Sequence, residues 1–377
     1  MMQRRAIAAR EDWRERVEAQ GLVFHTTEST GVYWGEGTYY ELTPAEADTI
    51  AAATAELHSM CIAAVGRVIR DRRYAEVGLD ALSAQLVERS WNRRDPALYG
   101  RMDLAFGPDG VPKLLEYNAD TPTSLLEAAV IQWTWLEECA KGDQANALHE
   151  QLIARWRALR PRLGSRVHFA HVPDLEDQMT VGYLRDTAQQ AGLETVGIEM
   201  TKLGFDPARG QLIDAEGRTI ASLFKLYPWE GLVTDRLAPA LVHLPTLWVE
   251  PAWKLVLSNK AILPILWQLF PEHPNLLPAA RELTPAIGDA WVKKPLLGRE
   301  GSNVTIHAPG VDDATSGPYD ERGFVYQSYT DLGEYEGMHP VIGSWLVGDV
   351  PAGIGIRETS SRITNNTARF VPHLIAG

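Results

Sequence analysis

The sequence predicts a multi-lobed protein that combines α+β and α/β architecture. Three observations support this fold class: apolar residues at helical spacing dominate positions 12–95, a β-hairpin is indicated at 100–118, and strands alternate with helices across 165–245. The chain has 377 residues, of which 45% are hydrophobic and 23% charged, and it contains no internal repeat or low-complexity linker. It can therefore bury a large core as one unit.

We expect this unit to occupy residues 12–375, behind a short N-terminal tail at 1–11. Its predicted parts are a helical lobe at about 12–95, a hairpin with the helix after it at 96–140, an α/β lobe at 165–250 and a final lobe at 255–375. Helical spacing of apolar residues indicates the first of these parts, and alternation of strands and helices indicates the third.

The net charge limits the partners that the chain can bind. A formal charge of −13 and a pI near 5.3 disfavour a nucleic-acid or anionic membrane surface, because each needs a basic stripe. The longest apolar runs are short and interrupted by charge, and residues 1–10 lack the apolar segment of a signal peptide. We therefore expect a cytoplasmic protein without nucleic-acid or membrane partners, whose Cys61 and Cys139 are reduced thiols.

The first lobe is predicted mainly from helical spacing. Thr43 followed by Pro44 is a typical helix start, and apolar residues continue at helical spacing from 47 to 69. Before this helix, the tyrosine- and glycine-rich residues 31–40 indicate a small hairpin whose aromatic rings belong to the core. We interpret the lobe as packing support for the rest of the chain.

The hairpin carries the most informative side chains. Arg101 and Asp103 lie two residues apart on its first strand, and Glu116 and Asn118 lie two apart on its second, so each pair shares a face. If Arg101 or Asp103 lies opposite Glu116, all four side chains project from one face. Carboxylate and carboxamide oxygens of this kind suit magnesium with bound phosphate. For any single hairpin, a solvated charged face is the alternative.

A helix is predicted immediately after the hairpin. Thr121 suits the N-cap and Pro122 the first helical position, ahead of the apolar residues 125–136. Free backbone donors at such a terminus could hold an anionic group of a substrate, and Thr121 and Ser124 are the candidate contacts. An ordinary helix cap explains the same residues equally well.

The α/β lobe is predicted from alternating strands and helices. Its strands are expected at 167–172, 195–199 and 220–226, and its helix at 181–191. Glu176 and Asp177 follow the first strand in a predicted loop. Acidic residues at such a position are usually solvated, but they also provide the charge that an incoming amine would need. Both are therefore candidate substrate contacts.

The last third supplies basic residues that the acidic chain otherwise lacks. Lys260 precedes a helix predicted through 262–270. Lys294 lies at the end of a predicted strand, and Gly298 and Gly301 follow in a loop whose N–H groups can close over phosphates while a lysine neutralises them. This loop is not a P-loop, since no Gly-Lys-Ser or Gly-Lys-Thr follows, and an ordinary glycine turn is the alternative.

Two later predicted strands complete the candidate site. Gln327 lies at the end of residues 324–327, where the hinge that holds an adenine would be expected. Residues 353–357 read GIGIR, and their glycines allow close approach to the backbone beside Arg357.

Several of these segments, taken in order, resemble the synthetase part of the glutathionylspermidine synthetase family. They are YGRMD at 99–103, LEYNAD at 115–120, SNK at 258–260, KPLLGREGSN at 294–303 and GIR at 355–357. The resemblance covers about residues 13–375 and implies an ATP-grasp fold, with a pre-ATP-grasp lobe at 165–250 and a nucleotide-binding lobe with its lid at 255–375. The implied motif order is permuted, because the metal-binding carboxylates precede the nucleotide lysines.

The resemblance also implies roles for individual residues. The ligands of two magnesium ions would be Asp103, Glu116 and Asn118. The contacts of ATP would be Lys260, Lys294, Gly298, Gly301 and Gln327. The cations that stabilise the transferred phosphoryl group and the tetrahedral intermediate would be Arg101 and Arg357.

The implied reaction is formation of an amide by an ATP-dependent carboxylate–amine ligase, which acts on small molecules through an acyl phosphate. Bifunctional family members carry an extra amidase domain, and nothing before Glu11 could form one, so hydrolysis is not expected. Residues 224–230 match the family's substrate contacts only loosely, so the resemblance does not name the acid or the amine. A phosphotransferase and a nucleotide-binding protein without turnover are the alternative functions on this fold.

Overall fold

The computed structural model describes residues 1–27, 31–319 and 322–376. Its strands are β1 Gln3–Ala6, β2 Thr26–Thr27, β3 Gly31–Val32, β4 Thr38–Leu42, β5 Tyr99–Ala105, β6 Lys113–Asn118, β7 Arg166–His171, β8 Glu194–Glu199, β9 Gly204–Asp206, β10 Gln211–Ile213, β11 Ser222–Leu226, β12 Leu247–Val249, β13 Ala279–Ala280, β14 Trp291–Pro295, β15 Thr305–Ala308, β16 Val311–Ala314, β17 Phe324–Ser328, β18 His339–Val347, β19 Val350–Thr359, β20 Arg369–Val371 and β21 His373–Ile375. Its α-helices are α1 Trp13–Ala19, α2 Pro44–Arg70, α3 Ala81–Asn92, α4 Gln132–Cys139, α5 Leu148–Leu163, α6 Leu175–Gln190, α7 Trp229–Leu232, α8 Ala238–Leu241 and α9 Ile262–Leu269.

Most of the longer strands belong to three sheets. The central sheet is antiparallel and has the order β20-β19-β18-β5-β6. A second antiparallel sheet has the order β13-β17-β14-β15-β16, and a parallel sheet has the order β12-β11-β7-β8. These sheets confirm the predicted mixed architecture, with the hairpin of β5 and β6 at one edge of the central sheet.

The long helix α2 begins where the sequence predicts. The Thr43 hydroxyl accepts a hydrogen bond from the backbone N–H of Glu46, and the Glu46 carboxylate accepts one from the N–H of Thr43, which together form a capping box. By length and composition alone α2 could cross a membrane, contrary to our expectation from the apolar runs. Half of its most apolar 18-residue window is nevertheless buried inside the fold.

Two expectations for the N-terminal region need correction. Residues 1–11 are more than a tail, because β1 pairs along β4 and closes an edge that would otherwise expose unpaired backbone groups. Residues 31–40 do not form one hairpin, since β3 pairs with β2 whereas β4 lies between β1 and β21. Their aromatic residues Trp34 and Tyr40 are fully buried, as predicted.

The segment after the hairpin is also not the helix that Thr121 and Pro122 predict. Helical structure begins at Leu125, and Ser124 before it has a φ of +65°, in the left-handed region that a continuous helix excludes. The physical reason is a long-range contact: the Arg101 guanidinium donates a hydrogen bond to the Thr123 carbonyl oxygen at 2.6 Å, which holds residues 121–124 as an irregular segment.

In the α/β lobe, β7, β8 and β11 confirm the predicted strands. The helix between β7 and β8 begins six residues earlier than predicted, at Leu175, because the Asp174 carboxylate caps it by accepting the N–H groups of Glu176 and Asp177. Glu176 and Asp177 therefore lie in the first turn of α6 and not in a loop.

The final lobe follows the predicted strand order. The helix α9 starts after Ala261, as predicted, with Pro264 in its first turn. The strand that contains Arg357 runs two residues beyond it, because β19 pairs with both β18 and β20 there. Both cysteines are free thiols, as expected, and burial raises the pKa of Cys61 to about 12.

Candidate active site

A cavity of about 660 Å³ lies where the three larger sheets meet. Its walls include the hairpin of β5 and β6, the carboxyl ends of β7 and β11, and the strands β14 and β17. The predicted site residues that line it are Arg101, Asp103, Glu116, Asn118, Thr121, Glu176, Asp177, Lys260, Lys294, Gly298, Gly301, Gln327 and Arg357. The candidate outside this lining is Ser124. The fold thus gathers predicted site residues from three of the four predicted parts, and the helical lobe contributes none of them.

Asp103 lies at the centre of a buried charge cluster. The hairpin register places Asp103 opposite Glu116, which is one of the two registers that bring the four side chains to one face. Arg101 donates two hydrogen bonds to the Asp103 carboxylate, at 2.7 and 3.2 Å, and Arg357 donates a third at 2.7 Å. The Asp103 residue is only 3% exposed, so these two guanidinium groups compensate a charge that water cannot reach.

Glu116 connects the hairpin to the phosphate side of the cavity. Its carboxylate lies 2.7 Å from the Lys260 ammonium, which also donates to the carbonyl oxygen of Gly298 at 2.7 Å. Asn118 donates to both Glu116 and Asp103, at 3.0 and 3.2 Å. Burial alone would raise the pKa of Glu116, but the Lys260 charge and these hydrogen bonds outweigh it and lower the pKa.

Lys294, on β14, is held by neutral groups. It donates to the backbone oxygen of Leu115 at 3.1 Å and to the side-chain oxygen of Gln327 at 2.8 Å, while the Gln327 amide donates to the backbone oxygen of Leu114. Burial lowers the pKa of Lys294 to about 8, although the charge of Glu116 opposes this. Lys294 is thus a desolvated cation whose charge an anion in the cavity would stabilise.

The glycine loop covers one end of the cavity. Gly301 has a φ of +64°, and a Cβ at this position would lie 2.5 Å from the backbone oxygen of Thr364, so only glycine fits. Arg299 between the two glycines forms an ion pair with Glu230 at the start of α7. The loop therefore contacts two other parts of the chain in the state described.

An acidic wall faces the cluster of cations. Glu176 and Asp177 line the cavity from the first turn of α6, and neither forms an ion pair within the described part of the chain. Burial, reinforced by the charge of neighbouring acids, raises the pKa of Glu176 to about 7 and that of Asp177 to about 6. A positive charge beside these carboxylates would lower both pKa values.

The hairpin side chains fit a magnesium ion that arrives with phosphate. Asp103 and Glu116 supply carboxylate oxygens from neighbouring strands, and a half-turn of the Asn118 amide would present its oxygen in place of the NH2 group that faces them here. Among the described residues, no cluster of three or more His, Cys, Asp or Glu could hold a metal ion. The amide of Asn118 and oxygens from the phosphates would therefore have to complete the coordination.

Sequence reasoning missed two features of the site, the ion pair of Lys225 and the position of Arg362. Lys225, fully buried in β11, forms a 2.5 Å ion pair with Asp120, which lines the cavity just beyond the hairpin. Arg362 also lines the cavity, and no carboxylate of the described residues pairs with it. No local pattern could have found either, since the partners of Lys225 and the neighbours of Arg362 are distant in sequence.

Comparison with known proteins agrees with this geometry. The model of the family described as glutathionylspermidine synthase preATP-grasp matches residues 4–376. A provisionally named acid–amine ligase of Haemophilus influenzae is 43% identical over 358 residues, which cover 90% of each chain. The bifunctional glutathionylspermidine synthetase/amidase of Escherichia coli is 31% identical, over 89% of this chain and 59% of its own. The trypanothione synthetase of Crithidia fasciculata is 31% identical, over 84% of this chain and 53% of its own.

The chain thus spans just over half the length of the last two relatives. Among solved structures, a glutathione synthetase-like effector from Globodera pallida in its apo form has a TM-score of 0.59 at 11% sequence identity, over 97% of this chain and 96% of its own, and so shares the fold. The family predicted from the sequence motifs is confirmed. The chain belongs to the glutathionylspermidine synthase preATP-grasp family.

Proposed function

We propose that the chain uses this cavity to join a small carboxylic acid to a cationic amine, with ATP activating the acid as an acyl phosphate. The relatives of this chain are ligases, and its membership of their family identifies it as an ATP-dependent carbon–nitrogen ligase. The observation that carries the proposal is the charge pattern of the cavity. The cations Arg101, Arg357, Lys260 and Lys294 line the same cavity as Glu176 and Asp177, two acids that form no ion pair among the described residues.

The nucleotide would lie between the glycine loop and the strands β14 and β17. We assign the phosphates to Lys260, Lys294 and the backbone at Gly298 and Gly301, and the hinge side of the adenine to Gln327. This assignment goes with an ATP-grasp fold of permuted motif order, in which the hairpin carboxylates precede the lysines in the sequence. Asp103, Glu116 and Asn118 would hold two magnesium ions, which neutralise polyphosphate charge when bound.

The reaction balances without a covalent enzyme intermediate. A carboxylate oxygen of the acid forms a bond to the γ-phosphorus of ATP as the bond to ADP breaks. The reacting ammonium first loses a proton, and the neutral nitrogen then attacks the acyl carbon. Phosphate leaves, and the nitrogen loses a second proton to give the amide. Arg101 and Arg357 would stabilise negative charge on the transferred group and on the tetrahedral intermediate, since both guanidinium groups converge on the same wall.

The substrates would approach from the α/β lobe. Glu176 and Asp177 would attract the amine as a cation, because no cation of the described residues pairs with them. Thr121, which lines the cavity, is a candidate contact for the acid. Ser124, which we also expected to bind substrate, would act from behind that surface. We place the protein in the cytoplasm, where its free thiols would stay reduced.

The experiment that tests the function is a phosphate-release screen with ATP and magnesium across pools of acids and amines. Release of phosphate should require one acid and one amine together. The acyl phosphate keeps its phosphate until the amine displaces it, because water is excluded from the cavity. Hydroxylamine in place of the amine should trap the activated acid as a hydroxamate. A phosphorylated product that accumulates with neither amide nor hydroxamate would show a phosphotransferase, and nucleotide binding without release in every pool would show a protein without turnover.

A further inference from the structure

We infer that a hydrogen-bonded chain behind the cavity, Ser124–Tyr33–Glu127, positions Arg101 for phosphoryl transfer. The inference rests on the proposed function of Arg101, and it concerns three residues that do not line the cavity. Glu127 and Tyr33 would be positioning residues, since they reach the reacting groups only through the backbone of residues 123–124.

The link to Arg101 is the Thr123 carbonyl oxygen. Arg101 uses two of its nitrogen atoms for Asp103 and a third, at 2.6 Å, for this oxygen. The direction of the guanidinium plane therefore depends on where the peptide between Thr123 and Ser124 lies. That peptide belongs to no helix or strand, and although the Ser124 carbonyl oxygen accepts a hydrogen bond from the N–H of Ala128 at 3.2 Å, side-chain contacts provide the other restraints.

Those contacts come from Tyr33 and Glu127. The Tyr33 hydroxyl donates to the Glu127 carboxylate at 2.6 Å and lies 2.9 Å from the Ser124 hydroxyl. When Glu127 is ionised, the single hydroxyl proton of Tyr33 is directed at its carboxylate, and Ser124 then donates its own proton to Tyr33. The chain of donors runs from Ser124 through Tyr33 to Glu127, and each member fixes the next.

Two local features indicate that the surrounding structure imposes an energetically unfavourable conformation here. Ser124 adopts a φ of +65°, which is unfavourable for a residue with a side chain and persists only where the surroundings impose it. Glu127, 1% exposed, begins a π-helical turn, Glu127–Ile131, a rare geometry that is frequent at functional sites. A carboxylate buried to this degree needs a strong donor, which the Tyr33 hydroxyl provides.

Removal of the Tyr33 hydroxyl is the direct test. In Tyr33→Phe, phosphate release with the acid and amine found in the screen should show a kcat roughly tenfold lower, the size expected for loss of one hydrogen bond of about 1.4 kcal/mol. The KM for ATP should stay within about twofold, since Lys260 and Lys294 are untouched. Tyr39→Phe is the matched control, because its ring packs against Trp135 at 5.6 Å, and its kcat should equal that of the wild type.

Variants at two further positions, Ser124 and Glu127, separate positioning from a loss of stability. Ser124→Ala should lower kcat like Tyr33→Phe, and the double variant should lose no more than either single one, because both interrupt the same chain. Glu127→Gln keeps an acceptor for Tyr33 and should retain most of the activity that Glu127→Ala loses. A folded Tyr33→Phe protein with wild-type kcat, or losses that multiply in the double variant, would overturn the inference.

Failure of the proposed function gives a different result. If the wild type releases no phosphate with any pool, the ligase proposal fails, but the positioning inference can still be tested. The positioning of Arg101 is then tested by isothermal titration with MgADP and aluminium fluoride, which together mimic the transferring phosphoryl group. Tyr33→Phe should weaken this binding roughly tenfold while leaving MgADP alone unaffected, and equal affinity in both proteins would overturn the inference.

Discussion

Replacement of Glu116 by glutamine tests the hairpin site with the least disturbance of the fold. The Glu116 side chain is 29% exposed and its partner Lys260 is 12% exposed, so loss of this ion pair should cost at most about 1 kcal/mol. In a chain of this length that corresponds to a fall in Tm of about 1–2 °C. The reaction should suffer far more, with phosphate release reduced roughly 100-fold or more, because one of the two carboxylates that balance bound magnesium is gone.

Asp103→Asn provides an instructive contrast. The Asp103 side chain is 4% exposed and takes part in ion pairs with both Arg101 and Arg357. Its neutralisation leaves the buried Arg101 charge uncompensated and should cost about 3–5 kcal/mol. We expect Asp103→Asn to lose activity and stability together, whereas Glu116→Gln should lose activity with only a small loss of stability.

The assay combines thermal unfolding with phosphate release over a range of magnesium concentrations. Glu116→Gln should need more magnesium to reach half of its own maximal rate. Glu76→Gln is the control, since it breaks a 2.5 Å ion pair with Arg73 away from the cavity and should change neither rate nor magnesium dependence. Wild-type activity in Glu116→Gln at every magnesium concentration would refute the assignment of the metal site.

Three other predictions follow from the cavity. Lys260→Ala and Lys294→Ala should each weaken binding of a non-hydrolysable ATP analogue at least tenfold by isothermal titration. Lys293→Ala is the control and should not weaken it, because the Lys293 ammonium lies over the Phe324 ring. Unchanged affinity in both Lys260→Ala and Lys294→Ala would place the nucleotide elsewhere. Residues 297–303 should be cut by protease more slowly with ATP than without it, and equal rates would argue against a lid. The pKa values of Glu176 and Asp177 are raised to about 7 and about 6, so the affinity for a cationic amine should rise between pH 5 and pH 8, because the cation binds the ionised forms. Glu176→Gln should flatten this rise. A pH-independent affinity in the wild type would exclude these two groups as the binding site of the amine.

The hairpin could be predicted because its signals are local. Alternation with a period of two places Arg101 with Asp103, and the turn limits the register to few choices, so opposition of Asp103 and Glu116 was one of two expected solutions. The start of α2 is local as well, since the capping box of Thr43 and Glu46 lies within four residues. Sequence reasoning succeeds where the determining contacts are neighbours along the chain.

The segment at 121–124 shows why the same reasoning failed elsewhere. Thr121 and Pro122 have the local preferences of a helix start, but the backbone there follows Arg101, 22 residues before Thr123, and Tyr33, 91 residues before Ser124. The ion pair of Asp120 with Lys225 spans 105 residues and has no sequence signature. Tertiary contacts of this kind override a local preference of about 1 kcal/mol.

The charge pattern of the cavity leads to a final prediction, that nucleotide and magnesium bind with strong mutual dependence. Without ligand, Arg101 and Arg357 are committed to Asp103, and Lys260 to Glu116. Phosphates can gain these cations only if something else compensates the two carboxylates, and magnesium at the hairpin would do so. The ATP analogue should therefore bind much more weakly in EDTA than in magnesium, and by linkage magnesium should bind more tightly with the analogue than without it, by the same factor.

Glu116→Gln provides the internal check on this coupling. With one carboxylate neutral, Lys260 is free to meet phosphate without magnesium, so the analogue should bind more tightly in EDTA than it does to the wild type, while the gain from added magnesium shrinks. Isothermal titrations of both proteins, with and without magnesium, measure all four affinities. Equal coupling in the two proteins would mean that Glu116 does not link the metal to the nucleotide, and that the ion pair with Lys260 is only structural.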